Sequence, residues 1–188
     1  MSRVTETVEE IIAACESMVG LPYDGEPVDQ LEHALQCADL AAPRGDREFT
    51  VAALLHDVAR APAVAGVAFD GPEENHGEAA ACWLEPRVGA RVAWLAEQHV
   101  AAKRYLVATD PAYAARLTEV STRTLAAQGG PMDASEVEAF ERHPDWRLAI
   151  SLREIDDRGK VPGAQVPDLA AYAADLSAVV ARRLQRAD

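Results

Sequence analysis

Ala52-Ala53-Leu54-Leu55-His56-Asp57-Val58 places two strong metal-ligating side chains at the end of an apolar run. Polar groups are costly among apolar neighbours unless something satisfies them, so this histidine and aspartate demand a partner. Phe49, Ala52, Ala53, Leu55 and Val58 recur at helical spacing, and Asp46 stands where a cap for that helix belongs. The run reads as a helix that delivers its polar pair inward.

The same period extends outward over almost the whole chain, with no convincing alternation of period two. Val8, Ile11, Ile12, Cys15 and Val19 mark a first helix, ended by Gly20; a turn-rich segment from Leu21 to Pro27 follows. A helix from about Val28 to Ala41 turns Leu31, Ala34, Leu35 and Ala38 inward. Arg60 to Glu74, with Pro62, Gly66, Gly71 and Pro72, reads as a loop beside the site. Asn75 is the expected cap of a helix through Trp83-Leu84, which Pro86 closes, and Val88, Val92, Leu95, His99, Ala102 and Leu106 continue as one long or kinked helix. Asp110-Pro111 opens a helix carrying Leu117, Val120 and Leu125 that stops at Gly129-Gly130-Pro131. Asp133 with Glu136 forms a capping-box-like start, Pro144 opens a helix through Leu152 and Ile155, and a last helix spans about Asp168 to Arg186. With no repeat, low-complexity tract or linker, residues 1–188 are expected to form a single all-α domain.

The 18 basic residues against 31 acidic ones give a net charge of −13 without a polybasic run. Nucleic acid and anionic membranes need a cationic footprint and are not expected partners. The N-terminus, Met1-Ser2-Arg3 followed by Glu6, Glu9 and Glu10, lacks the apolar core of a secretory signal, so the expected location is the cytoplasm. Cys15, Cys37 and Cys82 lie far apart without zinc-knuckle spacing and are expected to be buried free thiols. Oligomeric state leaves no mark in the sequence.

Four of the five histidines extend the opening motif: His33, His56, His76 and His99, each on its own expected helix, with His143 read as a surface residue. Asp156, in Ile155-Asp156-Asp157, adds a second carboxylate. Imidazole nitrogen mixed with carboxylate oxygen suits iron, manganese and other first-row divalent ions. Helical bundles build two-metal sites from such inward side chains, and the two oxygens of Asp57 allow it to bridge. Lys103 lies four residues after His99 and Arg153 three before Asp156, offsets that share a helix face. With Ser121 and Thr124 they could surround a tetrahedral anion. On spacing alone, pairing with surface acids remains open for both cations. The ligand set also leaves hydrolysis by a metal-bound hydroxide and O2 activation undivided.

The order H…HD…H…H…D resembles the HD-domain superfamily over nearly the whole chain. That resemblance implies an HD helical bundle with a dinuclear metal site in its core. His33, His56, Asp57 and Asp156 would bind one ion, and Asp57, His76 and His99 the other. Three segments, Tyr23 to His33, His99 to Leu106 and Gln128 to Met132, are similar to the mixed-valent diiron phosphonate oxygenases of that superfamily. The resemblance implies two iron ions as an Fe(II)/Fe(III) pair, with O2 as co-substrate. It implies C–P cleavage of a small 1-hydroxyphosphonate, 2-amino-1-hydroxyethylphosphonate or a close analogue, to a carboxylic acid such as glycine and inorganic phosphate. Lys103, Ser121, Thr124 and Arg153 would hold the phosphonate, Glu26 would face an ammonium, and Tyr23 would cover a metal position until substrate displaces it. The competing expectations are an HD phosphohydrolase acting on a small phosphate ester or nucleotide, and a binding module for a phosphorylated ligand.

Overall fold

Side-chain caps decide where the helices begin. Asp29 and Glu32 form a full capping box at the start of α2 (Gln30–Ala41), and Asp133 and Glu136 form another at α9 (Ala134–Glu141). Asp46 accepts from the Phe49 amide and starts α3 (Arg47–Leu55), as the sequence predicts, while Ser2 caps α1 (Arg3–Glu16). The computed structural model describes residues 1–23, 25–65 and 76–186. The expected Asn75 cap and most of the expected 60–74 loop lie outside them. Its described beginning holds the short helix α4 (Pro62–Ala65).

The remaining helices are α5 (His76–Val88), α6 (Ala90–Thr109), α7 (Pro111–Ala115), α8 (Glu119–Ala127), α10 (Trp146–Arg158) and α11 (Ala173–Gln185). No strand occurs among the described residues; an isolated bridge, Pro22 to Asp29, ties off the segment before α2. Pro86, expected to close its helix, lies inside α5. Its fixed φ fits a helix, and the one carbonyl that loses a donor belongs to Cys82, which faces solvent. That exposure also corrects the expectation of three buried thiols, since Cys15 and Cys37 alone are enclosed. The break comes instead at Gly89, whose φ of +92° separates α5 from α6. Beyond Asp110 the single expected helix is two, because Thr118 caps α8 by accepting from the Ser121 amide. At the C-terminal end, Asp168 starts a short 3-10 turn before α11. His143 is half-buried rather than on the surface, stacked on Trp94 at 3.4 Å.

α6 is the central element: α5, α10 and α3 pack on it, α2 packs on α3 and α10, and α11 joins α1, α3 and α5. The core between them is alanine-rich, with Ala38, Ala52, Ala53, Ala80, Ala96, Ala102 and Ala149 fully enclosed around Phe49, Leu55, Leu84, Leu95 and Leu152. Small side chains let helices approach closely. At Gly77 the approach is so close that an added Cβ would meet the Glu97 carbonyl oxygen at 2.9 Å. Arg91, near the start of α6, holds Asp46, Glu48 and Asp145 and so ties together the starts of α3 and α10. Truncating a leucine in such a core, Leu95 for example, costs about 2–5 kcal/mol.

Candidate metal centre and its cavity

Each ligand candidate arrives by a different element. α2 carries His33, α3 ends at Leu55 so that His56 is its C-cap and Asp57 begins a 3-10 turn, α5 opens with His76, α6 carries His99 and α10 carries Asp156. All six are buried. Three imidazoles direct Nδ1 at a backbone carbonyl: His33 at Gly159 (2.9 Å), His56 at Ala53 (2.9 Å) and His99 at Ala96 (2.6 Å). A carbonyl can only accept, so Nδ1 carries the proton and Nε2 presents its lone pair inward.

The lone pairs of His33 and His56 face each other, and a second imidazole pair lies beside them. His33 and His56 bring Nε2 atoms to 3.1 Å, and His76 and His99 to 2.7 Å. The carboxylate of Asp57 lies between the pairs. Its Oδ2 is 3.4 Å from His56 Nε2 and 3.9 Å from His33 Nε2, while its Oδ1 is 3.6 Å from His76 and 3.7 Å from His99. Oδ1 is buried without a hydrogen-bond partner among the described residues. Asp156 Oδ1 approaches His33 Nε2 at 3.5 Å. At His33, His56 and Asp57 the converging acceptors repel, and a bound cation would remove the repulsion. The donor set therefore fits two metal ions with Asp57 between them.

Burial and the neighbouring His56 hold His33 down to about 4, and burial with His76 holds His99 at about 3, so both are neutral at pH 7. Burial opposes ionisation of Asp57, but His56, Arg60, His99 and His76 together keep its carboxyl well below the usual range. Asp156 is likewise held down, against burial, by Arg153 and Lys160. Cys37 Sγ is 3.8 and 3.7 Å from the two ring nitrogens of His33, so it lies against the ring. Burial, with Asp156 and Asp57, raises its thiol well above the ordinary value and keeps it protonated.

Beside this cluster is a cavity of about 50 Å³, smaller than the roughly 150 Å³ that holds a benzene molecule in a protein core. The structure brings the expected anion-binding residues to it. Lys103 donates to Thr124 Oγ1 at 2.8 Å, and the Thr118 cap turns Ser121 and Thr124 toward that side. Arg153 lines the cavity with its guanidinium engaged behind: Nη1 donates to Asp156 Oδ2 (2.8 Å), Nε to Tyr113 (3.0 Å) and Nη2 to Asp157. Two of its five N–H groups remain for other acceptors. Tyr23 stacks on His33 at 4.2 Å and donates to Asp156 Oδ1 at 3.3 Å. Burial and the adjacent carboxylates push its phenol well above the ordinary value.

Three polar lining residues have no role in the sequence reading: Arg60, whose Nε lies 3.8 Å from Asp57 Oδ1, Gln128, which enters it only within the Gln128 to Met132 segment and whose buried Oε1 has no hydrogen-bond partner among the described residues, and Lys160. Lys160 Nζ is 3.8 Å from Asp156 and 4.0 Å from Glu26, and sits 5.3 Å over the Tyr23 ring. The signal for Arg60 and Lys160 is the one that located Lys103: three or four residues beyond a ligand candidate.

No protein-family model matches the chain. It is 43% identical over 149 residues, 78% of this chain and 76% of the relative, to [1-hydroxy-2-(trimethylamino)ethyl]phosphonate dioxygenase (glycine-betaine-forming) of Leisingera caerulea. It is 37% identical to hydroxymethylphosphonate dioxygenase of Gimesia maris, over 81% of this chain and 78% of the relative. An uncharacterised protein of Acanthamoeba polyphaga mimivirus is 32% identical over 92% of this chain and 81% of its own length. No described helix is long and apolar enough to cross a membrane.

Proposed function

The chain belongs to the phosphonate dioxygenases, and from that premise we propose that it cleaves the C–P bond of a small 1-hydroxyphosphonate with O2, giving a carboxylic acid and inorganic phosphate. It is a metal-dependent oxygenase. The metal we assign is iron, as an Fe(II)/Fe(III) pair, with His33, His56, Asp57 and Asp156 holding one ion and Asp57, His76 and His99 the other. When bound, a redox-active pair supplies the electron chemistry toward O2 that no side chain here can provide. The observation that carries the reading is the Asp57 carboxylate, each oxygen turned to its own histidine pair, beside a cavity with Lys103 and Arg153 in its wall.

The balance of the reaction is simple. One C–H and one C–P bond break, one oxygen atom goes to the carboxylic acid and one to phosphate, and the four electrons taken up by O2 come from the substrate. The chain's part is to bind, orient and exclude. Lys103, Ser121, Thr124 and the spare N–H groups of Arg153 hold the phosphonate oxygens. Arg153 also fixes Asp156, so anion binding and the carboxylate are coupled through one guanidinium. Tyr23 keeps its proton and donates it to Asp156, closing that side of the cluster until substrate arrives. Glu26 faces the substituent on the substrate carbon. Lys103, Ser121 and Arg153 are almost wholly enclosed, so few waters compete for the reacting groups.

The test is to give iron-loaded protein 2-amino-1-hydroxyethylphosphonate and hydroxymethylphosphonate, with and without O2, and to follow free phosphate. Release that requires O2, with an EPR signal of a coupled Fe(II)/Fe(III) pair, is the expected result. O2-independent release from phosphate esters would make the protein a phosphohydrolase and sink the proposal.

A further inference from the structure

Lys160 reaches the cavity from a segment that is fastened to α2. The Gly159 carbonyl accepts from His33, and the Gln36 amide makes two hydrogen bonds to Val161, Nε2 to its carbonyl at 3.0 Å and Oε1 from its N–H at 2.9 Å. Gly159 has no room for a side chain, since a Cβ would lie 2.6 Å from Cys37 Sγ. The lysine stem therefore starts from a fixed point, and its ammonium settles 4.0 Å from Glu26 Oε1 and 3.8 Å from Asp156 Oδ1. The Lys160 and Glu26 side chains are only 12% and 16% exposed, so solvent screens the pair weakly.

Both residues line the cavity. A cationic group entering beside Glu26 must compete with an ammonium already there, whereas a neutral substituent leaves the pair intact. We propose that Lys160 is a specificity-determining residue: by occupying Glu26 it disfavours ligands that carry an ammonium near the phosphonate carbon and keeps the cavity open to those that do not. The inference rests on the reading that the cavity takes a phosphonate.

Binding separates it from the chemistry. Iron-loaded protein under anaerobic conditions is titrated by calorimetry with 2-aminoethylphosphonate and ethylphosphonate, neither of which has the hydroxyl needed for turnover. Lys160→Met is expected to shift the ratio of the two dissociation constants toward the ammonium ligand by about tenfold, Lys160→Arg to keep it near wild type, and Glu26→Gln to move it about tenfold the other way. A ratio unchanged within about twofold in either Lys160→Met or Glu26→Gln overturns the proposal. Should Lys160→Met fail to fold, Lys160→Gln, which keeps a polar side chain without the charge, is measured in its place and judged by the same limit of about twofold. Wild-type protein that binds neither probe and releases no phosphate fails at the reading of the site. Wild-type protein that does both, with ratios that do not move, fails only here.

Discussion

Gly159 is a residue whose chemistry is entirely in what it lacks. An alanine there would press on Cys37 Sγ at 2.6 Å and His33 Nδ1 at 3.4 Å, between two rigid elements. Gly159→Ala is expected to destabilise metal-free protein by about 1–3 kcal/mol, read from urea midpoints, and Cys37→Ala in the same chain should recover much of the loss by making room. The two buried cations differ in a way that spacing alone does not show. Lys103 donates to a hydroxyl, whereas Arg153 also braces Asp156 and Asp157. Lys103→Met should therefore raise KM for a hydroxyphosphonate by about tenfold with iron content unchanged, the size expected for one charge-assisted hydrogen bond. Arg153→Met should lower iron content as well, because it leaves a buried carboxylate unpaired. Metal analysis beside steady-state kinetics distinguishes the two.

At the scale of elements, α8 carries most of the surprise. The sequence read from Asp110-Pro111 predicts one helix, but Thr118 accepts from the Ser121 amide and starts a new one, and the new direction turns Ser121 and Thr124 to the cavity. Thr118→Ala removes that cap and should cost about 1 kcal/mol, with faster amide exchange over residues 119–124 and a raised KM at nearly unchanged kcat. The legible caps each carry a second signal: Asp46 precedes an apolar period, Asp110 a proline, and Asp133 has Glu136 three residues on to complete a capping box. Thr118 follows a short one and sits inside a continuing period, so nothing local marks it. Proline is the visible signal for a break between α5 and α6 and predicts it at Pro86, yet the turn depends on the positive φ of Gly89, which spacing does not reveal. The histidines were legible for the opposite reason, as rare polar residues on greasy helices. Lys160 stands four residues after Asp156, the same offset that relates Lys103 to His99, but the intervening Gly159 reads as a helix end and masks the signal.

For the molecule as a whole, the neutral histidines make metal-free protein sensitive to acid. His33 at about 4 and His99 at about 3 stand below their ordinary 6.5, so as pH falls from 6.5 the unfolded chain takes up protons that the folded one refuses. Each should remove about 1.4 kcal/mol of stability per pH unit until its own folded value is reached. Asp57 and Asp156, held below 3.8, add their own losses only under that pH. Urea midpoints of metal-free protein at pH 7, 6 and 5 should fall steadily, and a flat profile would mean that the imidazoles are not buried as a neutral set. The burial of the cavity's cations has a further consequence, for encounter rather than affinity. Lys103 and Arg153 are almost wholly enclosed, inside a chain whose formal charge is −13. An approaching phosphonate dianion meets the acidic exterior first, and the attraction acts only over the last few ångströms. Added salt should then quicken association instead of slowing it: kcat/KM is expected to rise about two- to fivefold between low ionic strength and 0.15 M, where the screening length falls to about 8 Å. Most enzymes of anionic substrates advertise their charge; this one keeps it indoors, and its rate should be set by how well the surrounding solution hides the surface.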